Sequence, residues 1–357
     1  MSEYKNELKK ILSLVELETL PDQVNAITKL IGEKDLASFF VDTVYLRNVI
    51  SYIIDEHWIQ SKNSSADIYF DRFIKKFFEA ELKPLLFLHS YFLTTNIEEM
   101  PTAVKALIQT EKLVIAFIKS KPYAFQKTVL QVALQRMSEL YELEHQLNSD
   151  EETEKNNSGT KLSLYRTFDV LDQIFDLGYL TNEVSEIDQK ERIYEGAGVG
   201  VQSSYATTLI ALRYLNLGKG SKFIDLGSGY GRIGLVIGLM RPDIQFTGYE
   251  FVKERVEIAN TAAKNFGLDQ HVQFTMQDLS SPDFKIPLAD TYYIFDAFTD
   301  ATYKTIIEQL QALTEHKKIT VVTKGNAKLW MSKNYWSGPQ EFNDGNLCFF
   351  RSSRSVK

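Results

Sequence analysis

The feature that most limits what this chain can fold into is the stretch KFIDLGSGYGRIGLVIGL, residues 222–239. A short apolar run ends in Asp225, glycines follow at positions 227, 229 and 231, and an apolar helical pattern comes next. Glycines at such a turn let the backbone bend sharply and come close to a ligand. The stretch therefore predicts a buried strand, a tight turn that faces a ligand, and a helix.

Strand-like and helical patterns alternate through the rest of the C-terminal half. Besides the strand at 223–226 and a helix that ends near Met240, we predict strands at 244–250, 272–276, 291–296 and 318–323, and helices at 252–267 and 301–316. This alternation indicates an α/β doubly wound, mainly parallel sheet. The turn residues Asn343-Asp344-Gly345 predict an antiparallel C-terminal hairpin whose second strand contains NLCFF.

The first 148 residues carry a different pattern, because their apolar residues recur at helical spacing. Predicted helices cover 4–17, 35–59, 67–91, 101–120 and 124–145. Pro84 is predicted to kink or split the third of them. A polar stretch without aromatic residues comes next, and an amphipathic helix is predicted at 164–180.

These patterns predict an all-α N-terminal domain over 1–148, a polar linker over 149–163 and an α/β domain over 164–357. The helical domain has three candidate roles, which are substrate recognition, covering the active site, and contact with a second copy or a protein partner. Its residues do not choose among these roles.

Composition and charge exclude several classes of function. The net charge of -7 does not favour a nucleic-acid partner, and the single cysteine, Cys348, excludes an internal disulfide and zinc sites built on cysteine pairs. We expect no bound metal and no membrane insertion, since the apolar runs are too short to span a bilayer. We expect a cytoplasmic protein, and export as a bacterial effector by a signal without a hydrophobic segment stays open.

Two ligand classes compete for the glycine turn. Gly229, Gly231 and Gly234 spell G-x-G-x-x-G, the fingerprint of a dinucleotide-binding loop, which favours an NAD-dependent oxidoreductase. That register leaves Asp225 and Gly227 unexplained, and a carboxylate beside the turn would repel a pyrophosphate. S-adenosylmethionine carries an ammonium group and no phosphate, so Asp225 favours this second ligand.

The stretch DLGSGYGRIGLVIG resembles the first motif of the class I, Rossmann-like, seven-stranded S-adenosylmethionine-dependent methyltransferases. Its DLGSG form is similar to that of the Rossmann-type protein lysine methyltransferases. The resemblance covers about 194–323, under half of the chain. It implies a methyltransferase (EC 2.1.1.-) with S-adenosylmethionine as cofactor, and it says little about the methyl acceptor.

The resemblance also implies which residues contact the cofactor. In the family, an acid at the end of the second strand binds both ribose hydroxyls, the loop after the third strand faces adenine, and a segment before the first motif folds over the methionine end. Met276 would be a ring-stacking neighbour of adenine. The implied contacts are Tyr194, Glu195, Asp225, Leu226, Gly227, Ser228, Gly229, Gly231, Glu250, Phe251, Gln277, Asp278 and Asp296.

The end of the fourth strand, FDAF, opens the catalytic edge of similar enzymes. Asp296 is predicted to orient the acceptor or accept its proton, and Phe298 or Tyr205 to wall its pocket. FDAF departs from the NPPY-type pattern that similar enzymes use on planar nitrogens. This difference favours an sp3 amine, such as a protein lysine, or a small molecule over a nucleic-acid acceptor.

Simpler roles for these residues stay open. Glu250 could be a solvated strand end, Asp278 a cap, and Asp296 a turn-forming acid without a chemical role. A non-catalytic module that binds S-adenosylmethionine as a structural or sensing ligand is therefore an alternative to an enzyme.

Overall fold

The computed structural model describes residues 35–61, 100–148, 168–178, 202–342 and 347–353. The chain divides into two compact units, Met1–Val170 and Leu171–Lys357. Several predictions lie outside the described residues. They are the helices at 4–17 and 67–91 with Pro84, the linker at 149–163, the turn at 343–345, and the candidate contacts Tyr194 and Glu195.

The described part of the first unit consists of three helices, α1 (Leu36–Ser61), α2 (Met100–Lys119) and α3 (Tyr123–Asn148). All three were predicted, and their bounds agree with the sequence pattern to within a few residues. Helix α1 packs against both others, and it joins each by an ion pair. Arg47 lies 3.0 Å from Glu111 of α2, and Asp42 lies 2.9 Å from Arg136 of α3.

The second unit contains a seven-stranded sheet in the order β3-β2-β1-β4-β5-β7-β6. Strands β1 to β5 are parallel, and β7 pairs antiparallel with both β5 and β6. The predicted fold class, a mainly parallel sheet with an antiparallel edge, is therefore confirmed. The strands are β1 (Lys222–Leu226), β2 (Gln245–Glu250), β3 (Val272–Met276), β4 (Thr291–Phe295), β5 (Thr320–Lys324), β6 (Trp336–Phe342) and β7 (Leu347–Ser352).

Five α-helices and two 3-10 helices are described around this sheet. The connections between the parallel strands are mostly helical, as expected of parallel strands. The α-helices are α4 (Asp172–Phe175), α5 (Tyr205–Tyr214), α6 (Arg232–Met240), α7 (Lys253–Asn265) and α8 (Asp300–Leu313), and the 3-10 helices are Asp169–Leu171 and Gly325–Trp330.

The strand register decides which side chains share a face of the sheet. Asp225 lies opposite Gly248 of β2 and Tyr293 of β4, and Phe295 lies opposite Lys324 of β5. Because neighbouring partners in register point to the same face, Asp225, Tyr293, Phe295 and Lys324 share one face. The carboxyl ends of β1, β2, β4 and β5 meet at one edge, where ligands bind in open α/β sheets.

The opposite face of the sheet holds an apolar core with α8. Ile224, Leu226, Tyr292 and Ile294 point into this core, where all four are almost completely buried. Central strands buried on both faces explain why the sequence shows continuous apolar runs here and not an alternating pattern. This packing fixes the positions of β1 and β4, and therefore of the polar residues at the ends of these strands.

The prediction of a single helix at 164–180 is wrong over residues 168–178, the part that the structure describes. A 3-10 turn leads into the short helix α4, and the chain leaves the helix at Asp176, which has a φ of 57°. The left-handed backbone at Asp176, and again at Gly178 with a φ of 59°, cannot continue a right-handed helix. The Asp172 carboxylate at the start of α4 has partners distant in sequence. It pairs with the Arg232 guanidinium, with an Nε to Oδ1 distance of 3.0 Å, and accepts from the Tyr205 hydroxyl at 2.6 Å.

Replacing Asp172 by Ala is expected to destabilise the second unit strongly. Arg232 is only 5% exposed, so the substitution leaves a buried guanidinium without its carboxylate, a loss of about 3–5 kcal/mol in the free energy of unfolding. Denaturant unfolding checks this value. The matched control is Glu257→Ala, which breaks the exposed pair of Lys253 and Glu257 on α7 and should have little effect. Equal losses of stability from the two substitutions would contradict the assignment of a buried ion pair to Asp172 and Arg232.

Candidate functional site

The turn after β1 folds back onto the end of β2. The backbone N–H groups of Gly227 and Ser228 both donate to the Tyr249 carbonyl at 2.9 Å. Gly227 has a φ of 98°, and a Cβ at this position would lie 2.6 Å from the Ala297 Cβ. Gly229 has a φ of 53°, and a Cβ there would meet no atom of the described residues within 4 Å. The turn is therefore packed at Gly227 and open at Gly229.

Glu250 is held at the end of β2 by two backbone groups. Its Oε2 accepts from the Gly229 N–H at 2.8 Å, and its Oε1 accepts from the Val252 N–H at 3.0 Å. Because Glu250 is only 4% exposed, it is not a solvated strand end. Each carboxylate oxygen can accept a further hydrogen bond, so this fixed carboxylate can bind two neighbouring hydroxyls, as a ribose presents them.

Asp225 is a buried carboxylate without a hydrogen-bonding partner among the described residues. It is 2% exposed. Burial, and secondly the charge of Glu250, raise its pKa well above the ordinary value. A buried carboxylate is stable in its charged form only when a cation or hydrogen-bond donors accompany it. This arrangement is suited to a ligand that brings a positive charge.

These two acids test which ligand fits the site. S-adenosylmethionine offers an ammonium group to Asp225 and a ribose diol to Glu250, so the residues present fit it. A pyrophosphate at the same turn would meet the buried Asp225 carboxylate, which repels it, whereas Glu250 can bind the ribose of either ligand. The geometry therefore favours S-adenosylmethionine over a dinucleotide.

The loop after β3 continues the site past Glu250. Met276 lies opposite Glu250 in the sheet register and is 55% exposed, so an apolar surface is open beside the ribose position. The Gln277 N–H donates to the Glu250 carbonyl at 2.8 Å. Asp278 caps a turn, since its Oδ1 accepts from the Ser280 N–H at 2.8 Å. Asp278 thus has the capping role that the sequence left open.

The predicted catalytic residues have structural contacts. Asp296 has a φ of 37°, its Oδ1 accepts from the Asn326 N–H at 2.7 Å, and it is 9% exposed. Phe298 is fully buried and packs edge-on against Tyr303, with 5.1 Å between ring centroids. The buried Tyr205 donates to Asp172 and stacks on Phe175. Phe298 and Tyr205 are thus both buried, and their role in the acceptor pocket stays a prediction.

The remaining predicted contacts flank the turn. Leu226 and Ser228 are buried, so their side chains face the protein interior and their backbone groups form the turn. Phe251 is half-buried after β2, and Gly231 begins helix α6. Together with Asp225, Gly227, Gly229, Glu250, Gln277 and Asp278, these residues lie along the carboxyl ends of β1, β2 and β3.

Sequence reasoning missed two groups at the neighbouring strand ends. The Lys324 Nζ donates to the Thr207 Oγ1 at 2.6 Å and lies 5.2 Å from the centroid of the Phe295 ring. The side-chain amide of Gln202 is buried and has no hydrogen-bonding partner in the part of the chain that the structure describes. The sequence does indicate Lys324, because it is the last residue of a parallel strand and ligands bind at the carboxyl ends of such strands. Gln202 had no such signal.

Residues 217–342 match a family model described as a methyltransferase domain. The segment therefore has the sequence pattern of a methyltransferase domain. It contains six strands of the seven-stranded sheet, which is the fold that the resemblance implies. This agreement confirms the recognised family resemblance for this part of the chain and supports S-adenosylmethionine as its cofactor. No curated protein matches the chain significantly.

Solved methyltransferase structures also match, at low similarity. An RNA methyltransferase from Salinibacter ruber, in complex with S-adenosylhomocysteine, is 18% identical, with a TM-score of 0.35, 44% of this chain covered and 97% of that chain. An S-adenosylmethionine-dependent O-methyltransferase from Thermotoga maritima is 16% identical, with a TM-score of 0.33 and coverages of 44% and 68%. At these values the solved structures carry no argument about the acceptor.

No group of three or more histidine, cysteine, aspartate or glutamate side chains lies close enough to hold a metal ion in the described ranges. None of the helices within those ranges is long and apolar enough to cross a membrane.

Substitution of the two turn glycines should separate ligand binding from folding. Gly229→Ala places a methyl group in the open space where the ligand approaches, so we expect S-adenosylhomocysteine to bind at least about tenfold more weakly, with a stability loss of only about 1–2 kcal/mol. Gly227→Ala adds a clash with Ala297 and should lower the thermal unfolding temperature more. Calorimetric titration and thermal unfolding measure the two effects. Unchanged binding by Gly229→Ala would contradict the placement of the ligand.

Asp225→Asn is expected to stabilise the ligand-free protein while it weakens cofactor binding. A raised carboxyl pKa in the folded state penalises the ionised form. The penalty grows as the pH rises from the ordinary carboxyl range to the raised pKa, and it is complete above that pKa. The gain in unfolding temperature should therefore be near zero at about pH 4 and reach a few degrees at about pH 8.

The control for this prediction is Asp243→Asn. Arg241 holds the pKa of Asp243 below its ordinary value, so removing this exposed charge should not stabilise the protein at neutral pH. If Asp225→Asn lowered the stability of the ligand-free protein at about pH 8, the carboxylate would have a partner, and the ligand argument would fail.

Proposed function

We propose that this chain is an S-adenosylmethionine-dependent methyltransferase that acts on an amine-bearing acceptor, with a protein lysine as the first acceptor to test. The main support is the buried Asp225, which has no hydrogen-bonding partner within the described ranges. It lies near Glu250, which backbone groups hold, at the carboxyl ends of β1 and β2. The match of residues 217–342 to a methyltransferase domain supports the same function. We also propose that the protein acts in the cytoplasm.

In this proposal the chain binds and orients the cofactor by three features. Glu250 accepts from both ribose hydroxyls, Asp225 accepts from the ammonium group, and the open face of Gly229 lets the backbone approach closely. Met276 covers the adenine ring. When bound, the cofactor supplies a methyl group that its sulfonium already activates. The chain's own task is to hold the acceptor in line with this methyl group and to exclude water.

The acceptor edge lies at the ends of β4 and β5 in this proposal. A lysine acceptor must lose its proton before it can react, and Asp296 is the carboxylate at this edge. One oxygen of Asp296 accepts from the Asn326 N–H. We therefore assign to Asp296 first a structural role, which is to hold the segment after β5 in place at this edge. Comparison of Asp296→Asn with the parent protein in methyl transfer and in cofactor binding tests whether it also serves the acceptor.

A non-catalytic module that binds S-adenosylmethionine is the second candidate. The buried positions of Phe298 and Tyr205, together with the structural hydrogen bond of Asp296, favour it. The two candidates share cofactor binding and differ in turnover. Formation of S-adenosylhomocysteine with any acceptor in a cell extract rules out the second candidate.

The test of the proposed function is a titration with S-adenosylmethionine, S-adenosylhomocysteine and NAD, followed by a labelled-methyl screen on cell extract. We expect the first two ligands to bind and NAD not to bind. Glu250→Ala should weaken binding by about 10-fold to 150-fold, since it removes charged hydrogen bonds worth about 1.5–3 kcal/mol. Glu257→Ala, on the outer surface of α7, is the control and should bind as the parent does.

Two outcomes would contradict this prediction. Absence of binding by a folded protein would remove the methyltransferase proposal, and binding of NAD would favour the dinucleotide reading of the glycine turn. Unchanged affinity of Glu250→Ala would leave the ligand class intact and show that the ribose binds elsewhere.

A further inference from the structure

A lysine lies on the same face of the sheet as Asp225, two strands away. Lys324 is the last residue of β5 and lies opposite Phe295 of β4. Phe295 comes two residues after Tyr293, which lies opposite Asp225 of β1. Adjacent strands are about 4.8 Å apart, so β1 and β5 are about 10 Å apart. Asp225 and Lys324 flank β4 on this face, so one small ligand that lies across the end of β4 can reach both a carboxylate and an ammonium group.

The position of the Lys324 ammonium is fixed by its contacts. Its Nζ donates to the Thr207 Oγ1 at 2.6 Å, and its chain lies over the Phe295 ring. Thr207 belongs to the first turn of helix α5, whose cap is the Ser204 side chain. The first turn of a helix carries a partial positive charge. A lysine ammonium beside it makes this corner strongly attractive to an anion.

An unsatisfied amide lies at the same end of α5. The Nε2 and Oε1 atoms of Gln202 are both buried and have no hydrogen-bonding partner among the described residues, and Gln202 comes two residues before the helix cap. A buried amide in this condition costs free energy that a bound ligand recovers. Its neighbour Ser203 contacts the Tyr293 hydroxyl at 2.6 Å, which ties this segment to the face that carries Asp225.

We propose that Lys324 binds the carboxylate of the amino-acid end of the cofactor, and that the Gln202 amide donates to the same carboxylate. This inference rests on the proposed function, since it names a second half of the same binding site. An amino acid end is a zwitterion. The chain matches it with Asp225 for the ammonium group and Lys324 for the carboxylate, on one face of the sheet.

The experiment compares S-adenosylmethionine with decarboxylated S-adenosylmethionine, which keeps the ammonium group and lacks only the carboxylate. Calorimetric titration of the full chain gives both dissociation constants. We expect the parent protein to prefer S-adenosylmethionine by at least about tenfold, as charged hydrogen bonds to a carboxylate imply. Lys324→Met should weaken S-adenosylmethionine by about tenfold and change the decarboxylated ligand by less than about twofold.

The control for charge alone is Lys328→Met. Lys328 follows Lys324 closely and pairs with Glu341 at 2.8 Å, so its loss removes the same charge without touching the proposed site. Asp225→Asn is a second control. It should weaken the binding of both ligands, because both carry the ammonium group. Thr207→Val and Gln202→Leu probe the same site independently if Lys324→Met does not fold, and each should reduce the preference for the carboxylated ligand.

Two results would overturn the inference. Lys324→Met could weaken both ligands equally, which would assign Lys324 to the stability of α5 and not to the carboxylate. It could also leave the preference unchanged, which would place the carboxylate elsewhere. Failure of the parent protein to bind either ligand is a different result, since it removes the proposed function itself.

Discussion

Two carboxylates of like charge, both less than 5% exposed, lie at neighbouring strand ends in this protein. Glu250 tolerates this position because backbone N–H groups from the turns after β1 and β2 donate to it and the Arg255 guanidinium lies 3.6 Å from its Oε1. Asp225 has no such donors among the described residues, and burial, with the charge of Glu250 as the second cause, raises its pKa. The rest of the site follows from this asymmetry, because one acid is already organised for a neutral diol and the other requires a cation.

The surrounding fold keeps these two acids in place. The glycine turn is fixed from below by the close approach of Gly227 to Ala297, and β1 and β4 rest on the apolar core that they form with α8. On the other side, the buried pair of Arg232 and Asp172 joins α6 to α4, and the Arg232 guanidinium also donates to the Ser203 carbonyl at 3.0 Å. The segment before α5 is thereby held against the strand ends that carry the ligand.

Local sequence pattern predicted the elements well and the side-chain contacts less well. The strands and helices of 222–324 follow from apolar runs and glycine turns, and Asp225, Gly229 and Glu250 follow from their positions at strand ends. The pairing of Asp172 with Arg232 joins positions 60 residues apart, and no periodicity reveals it. The burial of Tyr205 and Phe298 also depends on packing between distant elements, so residues chosen for the acceptor pocket proved to have core contacts.

A crystal structure of the full chain with S-adenosylhomocysteine tests the central claim most directly. The account predicts the ligand's ammonium group within about 3.2 Å of an Asp225 oxygen and both ribose hydroxyls within the same distance of the Glu250 carboxylate. A ligand bound in the opposite direction, with its ribose away from Glu250 or its amino group away from Asp225, would contradict the account.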